Sequence, residues 1–161
     1  METPQVFDLT SSGWNPENGP VMKAFSVVTS IRAPAERIWA LLTDAPGYPR
    51  WNKTVDKIDG RIAPGERITV HAKISPGRAF PVKVVEFVPG EKMVWSSGMP
   101  LGLFKGARTY TLTPQPDGMV EFSMREEFTG LMAPLITKSI PDLQPAFDEF
   151  AMNLKQAAET I

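Results

Sequence analysis

The sequence predicts an α+β fold, in which a twisted antiparallel sheet of about six or seven strands packs against one long C-terminal helix. Three observations predict it. An alternating apolar segment near the N-terminus is followed by an amphipathic helical segment. Several further β segments come next, separated by Pro-Gly and Asp-Gly turn signals. The chain then closes with apolar residues at three- and four-residue steps, which is the spacing of a helix with one buried face.

Length and composition indicate one domain of ordinary globular character. The chain has 161 residues, of which 42% are hydrophobic and 22% charged. The net charge of −1 argues against nucleic acid as a partner. No segment approaches the ~20 apolar residues of a membrane span. The first residues also lack the basic and apolar regions of a signal peptide, so we expect a cytoplasmic protein with no integral membrane association.

The residue types exclude several kinds of chemistry. The chain has no cysteine, which excludes disulfides, thiolate metal sites and cysteine nucleophiles. Its one histidine, His71, cannot form a multi-histidine metal site. The alternation around His71 places it on the polar, outward face of its strand. Because no phosphate-binding loop or metal-loop spacing is present either, the sequence predicts no metal and no cofactor.

The first elements can be assigned in chain order. Residues 1–21 contain several prolines and glycines with little periodicity and predict an irregular N-terminal arm, followed by one domain over 22–161. Residues 23–32 alternate and predict the first strand. We expect a helix to begin with Pro34 at its first position and to end at Asp44. A second short segment, irregular or helical, ends at Trp51.

The middle of the chain predicts an antiparallel meander. Its strands are expected near 54–62, 66–75, 80–88, 92–97, 103–114 and 119–129. Pro116 and Asp117 fit a type I turn, and Gly118 supplies the left-handed residue of a three-residue hairpin loop. This turn fixes the register of the last two strands. The predicted pairs are Leu112–Phe122, Tyr110–Met124 and Arg108–Glu126.

The C-terminal segment predicts an amphipathic helix of about 18 residues. Its apolar positions are Leu143, Phe147, Phe150, Ala151, Leu154, Ala158 and Ile161. Two interpretations of its start remain open. Either Asp142 caps a new helix with Pro145 in its first turn, or one longer helix from about residue 131 is kinked there. We favour a short 131–140 segment that leads into the main helix.

Several local patterns together carry a resemblance to a known family. They are Ile31-x-Ala33-Pro34-x-Glu36-x-Ile38-Trp39-x-x-Leu42-x-Asp44, Tyr48-x-x-Trp51-Asn52, Pro64-Gly65-Glu66, Glu86-Phe87-x-Pro89-Gly90, Trp95, Glu127-Phe128-x-Gly130 and Leu154-Lys155. Over about 23–159 the chain resembles the START-like, or SRPBCC, superfamily and its polyketide cyclase/dehydrase and lipid-transport group. The resemblance implies a helix-grip fold like that of the birch-pollen allergen, in which a curved sheet wraps around the long helix and leaves a cavity between them.

The candidate site follows from the predicted inner face and from this resemblance. Its apolar members are Trp51, Trp95, Phe104, Tyr110, Leu112, Phe122, Met124, Phe128, Phe147, Phe150 and Leu154. They would line a ligand cavity or simply fill a core. Arg108 and Glu126 are more informative, because the predicted register places both charges on the apolar face. We expect them to pair with each other or to meet a polar ligand group, since an isolated buried charge is costly.

Three functions remain possible, because the superfamily includes ligand carriers, cyclases and co-chaperone-like domains. The leading hypothesis is binding, with transport or sequestration, of a small hydrophobic or amphipathic molecule, and without catalysis. The first alternative is a cofactor-independent polyketide cyclase or dehydratase that uses Arg108, Tyr110 and Glu126 as its acid–base set. The second is a protein-interaction domain that presents the apolar 98–104 loop. The sequence leaves the oligomeric state open.

Overall fold

The computed structural model describes residues 14–15 and 19–160. The strands are β1 (Trp14–Asn15), β2 (Gly19–Pro20), β3 (Lys23–Ile31), β4 (Val55–Asp59), β5 (Arg67–Ala72), β6 (Phe80–Val88), β7 (Lys92–Met99), β8 (Phe104–Pro114) and β9 (Val120–Thr129). The helices are α1 (Ala35–Thr43), α2 (Tyr48–Trp51), α3 (Ala133–Ile136) and α4 (Gln144–Glu159). Most of the predicted irregular arm lies outside the described residues, and β1 and β2 within it pair with each other.

The described strands β3 to β9 form one antiparallel sheet in the order β3-β9-β8-β7-β6-β5-β4. The sheet is curled around α4, which confirms the predicted α+β class and the helix-grip architecture. β4 and β5 are shorter than predicted, since they end at Asp59 and Ala72. We call the face of the sheet that α4 covers the inner face, and the opposite face the outer face.

Helix α1 begins one residue later than predicted. Pro34 has an extended backbone and immediately precedes the helix. Its carbonyl oxygen accepts hydrogen bonds from Arg37 N at 3.1 Å and Ile38 N at 3.3 Å, so it still serves the first turn. The helix buries Ile38 and Leu42 completely. Its last residue is Thr43, and Asp44 follows as the residue that stops it, as predicted.

The β8–β9 hairpin has the predicted register. Gln115 N donates to Met119 O at 2.8 Å, which closes the three-residue loop. Gly118 has a φ of +83°, the conformation that the loop requires and that glycine adopts without strain. The predicted pairs Leu112–Phe122, Tyr110–Met124 and Arg108–Glu126 all form.

Helix α4 is a new helix rather than the continuation of a kinked one. Asp142 Oδ1 accepts a hydrogen bond from Gln144 N at 3.0 Å just before the helix begins. The predicted segment over 131–140 contains α3 and a 3-10 turn. Two bonds hold α4 beside β3, because Gln144 Nε2 donates to Ser26 O at 2.9 Å and Lys155 Nζ to Ser30 O at 2.7 Å.

Candidate functional site

One cross-strand row positions the centre of the site. Trp95 on β7, Arg108 on β8, Glu126 on β9 and Phe25 on β3 lie directly opposite one another in turn. Residues that are directly opposite share a face of the sheet. Phe147 of α4 lies over this row, with its ring centroid 4.8 Å from Arg108 Cζ and 6.0 Å from the Phe25 ring. The row therefore belongs to the inner face.

Arg108 and Glu126 form an ion pair within this row. Arg108 Nε and Nη2 both donate to Glu126 Oε2, at 3.0 and 2.6 Å. The two side chains are 27% and 13% exposed, so the pair is largely desolvated. Burial by itself would lower the pKa of Arg108, but the charge of Glu126 raises that pKa above its usual value, and the guanidinium stays charged. The expectation that the two charges pair is confirmed.

The predicted lining residues come together in the structure, but they divide into two layers. The deeper layer is packed core, with exposed fractions of at most 4%. It contains Tyr110, Leu112, Phe122, Met124, Phe147, Phe150 and Leu154. Trp51 and Phe104 keep part of their surface, as do the two charged residues, while Trp95 and Phe128 are buried. Accessible surface within the predicted site is therefore limited mainly to Arg108, Glu126, Trp51 and Phe104.

Trp95 belongs to a continuous aromatic cluster. Its ring centroid lies 4.9 Å from that of Tyr110 and 6.3 Å from that of Tyr48. Tyr48 in turn lies 4.9 Å from Trp51, and Trp51 lies 5.4 Å from Phe150. The cluster joins α2, β7, β8 and α4 on the inner side of the sheet.

Three hydrogen-bond donors of this cluster have no partner among the described residues. They are Trp51 Nε1, Trp95 Nε1 and the Tyr110 hydroxyl, and each atom is buried. A buried donor left without an acceptor costs about 1–3 kcal/mol. By contrast, the hydroxyl of buried Tyr48 donates to Leu42 O at 2.6 Å. The cluster can thus offer three donors to an acceptor supplied from outside the chain.

Tyr110 is a neutral donor at physiological pH. Burial raises the pKa of its hydroxyl to about 12, although the charge of nearby Arg108 acts in the opposite direction. Burial also raises the pKa of Tyr48 well above its ordinary value. A protonated phenol beside a guanidinium can donate to a carbonyl or phenolate oxygen, whereas it is a poor proton acceptor.

Sequence reasoning missed two members of the site, Tyr48 and Phe25. Tyr48 was part of the Tyr48-x-x-Trp51 pattern, and the three-residue spacing on a short helix was the signal that both rings face one way. Phe25 lies in the first strand, which the alternation of residues 23–32 predicts. Its position opposite Glu126 depends on the pairing of β3 with β9, which no local turn encodes.

The apolar 98–104 loop is partly packed and partly exposed. Phe104 stacks on Phe128 with a centroid distance of 5.8 Å, and Leu103 O accepts a hydrogen bond from Met132 N at 2.7 Å. Leu101 is 93% exposed and has a φ of +62°. The loop therefore packs through Phe104 and exposes the side chain of Leu101.

His71 lies on the outer face, as predicted, since its neighbours Ile68 and Val70 point inward. Its Nε2 lies 2.9 Å from Asp59 Oδ2 of the adjacent strand. This hydrogen bond lowers the pKa of Asp59. Over residues 14–15 and 19–160, no cluster of three or more His, Asp or Glu residues is arranged to hold a metal ion. Within the same ranges, every helix is too short or too polar to cross a membrane.

The sequence pattern of the family described as polyketide cyclase / dehydrase and lipid transport matches residues 22–159. This match covers most of the chain. The chain belongs to this family. The expected START-like grouping is thereby confirmed, together with the fold that it implies. No curated protein sequence matches the chain significantly.

Solved structures of low sequence identity share the fold of this family member. A hypothetical protein from Helicobacter pylori is 15% identical, with a TM-score of 0.71 over 98% of this chain and 99% of its own. A START superfamily protein from Mycobacterium smegmatis is 16% identical, with a TM-score of 0.57 over 84% of this chain and 94% of its own. The Zhui aromatase/cyclase from a Streptomyces species is 12% identical, with a TM-score of 0.61 over 84% and 93%. At these identities the likeness shows the fold alone.

Proposed function

We propose that this protein binds a small hydrophobic or amphipathic molecule on the inner face of the sheet, at the layer of Arg108 and Glu126, and carries or sequesters it. The observation that carries the proposal is that the buried donors of Trp95 and Tyr110, which neighbour the largely desolvated Arg108–Glu126 pair on the sheet, have no partner among the described residues. A ligand with apolar surface and acceptor oxygens would satisfy these donors. The cytoplasmic location expected from the sequence stays a prediction.

The energetics favour a ligand of mixed character. Apolar surface buried against the aromatic cluster contributes about 25 cal/mol per Å² before the costs of ordering. Glu126 uses one carboxylate oxygen for Arg108, and Oε1 accepts no hydrogen bond from the described residues. Arg108 and Glu126 can therefore orient a polar group while the rings bury the remainder. Because the deeper layer is closed, a ligand that reaches Tyr110 must displace side chains of that layer.

Binding is tested with purified protein and the neutral fluorescent probe Nile red, together with native mass spectrometry of the protein as isolated. We expect bound probe, and we expect Trp95→Phe to weaken binding because it removes one unpartnered donor and part of the ring surface. Trp39→Phe is the matched control, since Trp39 packs on Phe87 at 5.2 Å, away from the cluster. Absence of both probe binding and a co-purified molecule contradicts the proposal.

A cyclase- or dehydratase-type activity is the alternative that the geometry also supports. Tyr110 follows Arg108 by two residues on the same face of β8, and Arg108 pairs with Glu126. A neutral phenol, a guanidinium and a carboxylate can together polarise a carbonyl and move a proton. A Glu126→Gln variant that binds a polyketide-like substrate without converting it would support this alternative. Binding without turnover by the wild type would argue against it.

A further inference from the structure

The sheet splits between β6 and β7. Their ladder begins at the pair Lys83–Ser96 and runs from there to the β6–β7 turn. On the other side of this pair, residues 80–82 of β6 pair only with β5. Residues 97–99 of β7 pair only with β8. Two strand segments that are neighbours in the sheet therefore diverge instead of bonding to each other.

Local sequence explains why these segments diverge. Pro81 lies in the open part of β6 and has no N–H to donate to a neighbouring strand, which is why proline is confined to the edges of sheets. Gly98 lies in the open part of β7 with a φ of +142°, and a Cβ there would collide with the carbonyl oxygen of Phe104. The backbone of β7 thus lies very close to β8 at this point, and no ladder pair joins this part of β7 to β6.

The split contains a pocket with a volume of about 400 Å³. Residues from both faces of the sheet line it. Val82, Ser97 and Phe104 belong to the inner face. Each lies an even number of residues from an inner-face residue of its own strand, namely Val84, Trp95 and Arg108, respectively. Outer-face lining residues include Arg67, Lys83 and Lys105. The pocket therefore borders both faces of the sheet, and its lining residue Ser97 lies two residues, or roughly 7 Å along β7, from Trp95.

The outer-face side of this pocket is positively charged. Arg67 and Lys83 lie directly opposite each other on β5 and β6, and both are exposed. Like charges in this position repel each other. Within the described part of the chain, neither forms an ion pair and no acidic residue lines the pocket. An anionic group bound between the two side chains would relieve this repulsion.

We propose that the β6–β7 split is the port through which the inner site is loaded, and that Arg67 and Lys83 hold the anionic group of an amphipathic ligand at its outer end. The proposal rests on the proposed binding function. The ligand is then an apolar molecule that bears one anionic group, a carboxylate or a phosphate. The apolar body passes between Val82 and Ser97 towards Trp95 and Arg108.

The charge requirement is tested with two probes. Anilinonaphthalene sulfonate is an amphipathic anion, and Nile red is neutral. We expect the double variant Arg67→Gln/Lys83→Gln to weaken binding of the anionic probe about tenfold and that of Nile red less than about twofold. The matched control is Lys53→Gln/Arg61→Gln, which removes two exposed cations that do not line the pocket. Equal affinity of the Arg67/Lys83 variant and the wild type for the anionic probe overturns the assignment of Arg67 and Lys83 as the residues that hold the anionic group.

The passage itself is tested by bridging it. The natural chain has no cysteine, so Val82→Cys/Ser97→Cys introduces the only thiols. A short bifunctional methanethiosulfonate then links the two strands, and a reductant cleaves the link. We expect the bridged protein to take up either probe at least about tenfold more slowly in stopped-flow fluorescence, with recovery after reduction. Each single-cysteine variant carrying a monofunctional reagent controls for added bulk.

The outcomes separate the two proposals. If the wild type binds neither probe, the binding function fails and the port fails with it. If the wild type binds both probes but neither the bridge nor the charge variant changes uptake or affinity, only the port is overturned. If phosphate-headed and carboxylate-headed lipids are then compared as competitors of the anionic probe, the tighter competitor identifies which anion Arg67 and Lys83 prefer.

Discussion

Arg108 and Glu126 lie directly opposite each other on β8 and β9, and both hydrogen bonds of the guanidinium go to one carboxylate oxygen, Glu126 Oε2. The pair marks a boundary on the inner face. Beneath it, Tyr110 and Met124 are completely buried. At its own level some surface stays accessible, and Phe147 covers the guanidinium. The ion pair thus places charged groups among side chains that are otherwise mostly aromatic.

Removing one member of this pair should destabilise the protein. We expect Glu126→Gln to lower the free energy of unfolding by about 2–4 kcal/mol, because it leaves the Arg108 charge in a poorly solvated place without a counter-charge. Replacing both residues, as in Arg108→Met/Glu126→Leu, should recover most of this loss. Urea unfolding followed by tryptophan fluorescence measures both effects.

The matched control for this prediction lies on the same strand and the other face. Arg125 Nε donates to Glu127 Oε1 at 2.8 Å, and these side chains are 43% and 26% exposed. We expect Glu127→Gln to change the free energy of unfolding by less than about 1 kcal/mol, because water compensates for the lost partner. A loss at Glu127 equal to that at Glu126 would contradict the argument from burial.

The two buried tyrosines should respond in opposite ways to loss of the hydroxyl. Tyr110→Phe removes a buried donor that has no acceptor among the described residues, so we expect unfolding stability to stay constant or rise by about 1 kcal/mol, while affinity for an acceptor-bearing ligand falls. Tyr48→Phe removes the donor to Leu42 O and should lose about 1 kcal/mol. Chemical denaturation of both variants measures the free energies of unfolding, and probe titrations measure the change in affinity.

The same tyrosines give a pH dependence. The folded-state pKa of Tyr110 is raised to about 12, above the value of 10.0 of an exposed phenol. The unfolded chain therefore loses this proton first as the pH rises. The stabilising contribution is complete below about pH 10 and is lost between about pH 10 and 12, by about 3 kcal/mol. We expect Tyr110→Phe to lose less stability than the wild type across this interval.

Absorbance provides an independent measurement of that pH dependence. The chain has two tyrosines, Tyr48 and Tyr110, and both are completely buried. The native protein should show almost no phenolate absorbance at pH 11, whereas the chain in concentrated urea should titrate near pH 10. Native phenolate formation near pH 10 would mean that one of the hydroxyls is accessible to water.

The sequence was sufficient wherever a local signal fixed the geometry. The Pro116–Gly118 turn sets the β8–β9 register, and that register alone placed Arg108 opposite Glu126. Pro81 and Gly98 permit the β6–β7 split, but the split could not be predicted from them, because it also depends on competition between the neighbours on either flank of the two strands. The unpartnered donors of Trp95 and Tyr110 also depend on side-chain orientation, which periodicity does not encode.

Gly98 should be required for the close approach of β7 to β8. We expect Gly98→Ala to lower the free energy of unfolding by about 2 kcal/mol or more, because the added methyl group meets the backbone of Phe104. Gly77→Ala is the control, since Gly77 also has a positive φ, of +76°, but open space around it. Its cost should be limited to about 1 kcal/mol of backbone strain.

Leu101 combines full exposure with a strained backbone, and this combination can be tested. Its side chain is 93% exposed, so it contributes almost no burial. Its φ of +62° is a backbone conformation that costs a non-glycine residue about 1 kcal/mol. Leu101→Asn should therefore raise the free energy of unfolding by about 0.5–1 kcal/mol, because asparagine tolerates this conformation. Leu135→Asn is the matched control, since Leu135 is 66% exposed but lies within α3 with ordinary helical geometry. It should give no gain in the free energy of unfolding.

If Leu101→Asn leaves the free energy of unfolding unchanged, the strain argument is wrong. If it is stabilising but abolishes self-association seen for the wild type in sedimentation velocity, the leucine serves a contact outside the chain, as the protein-interaction alternative requires.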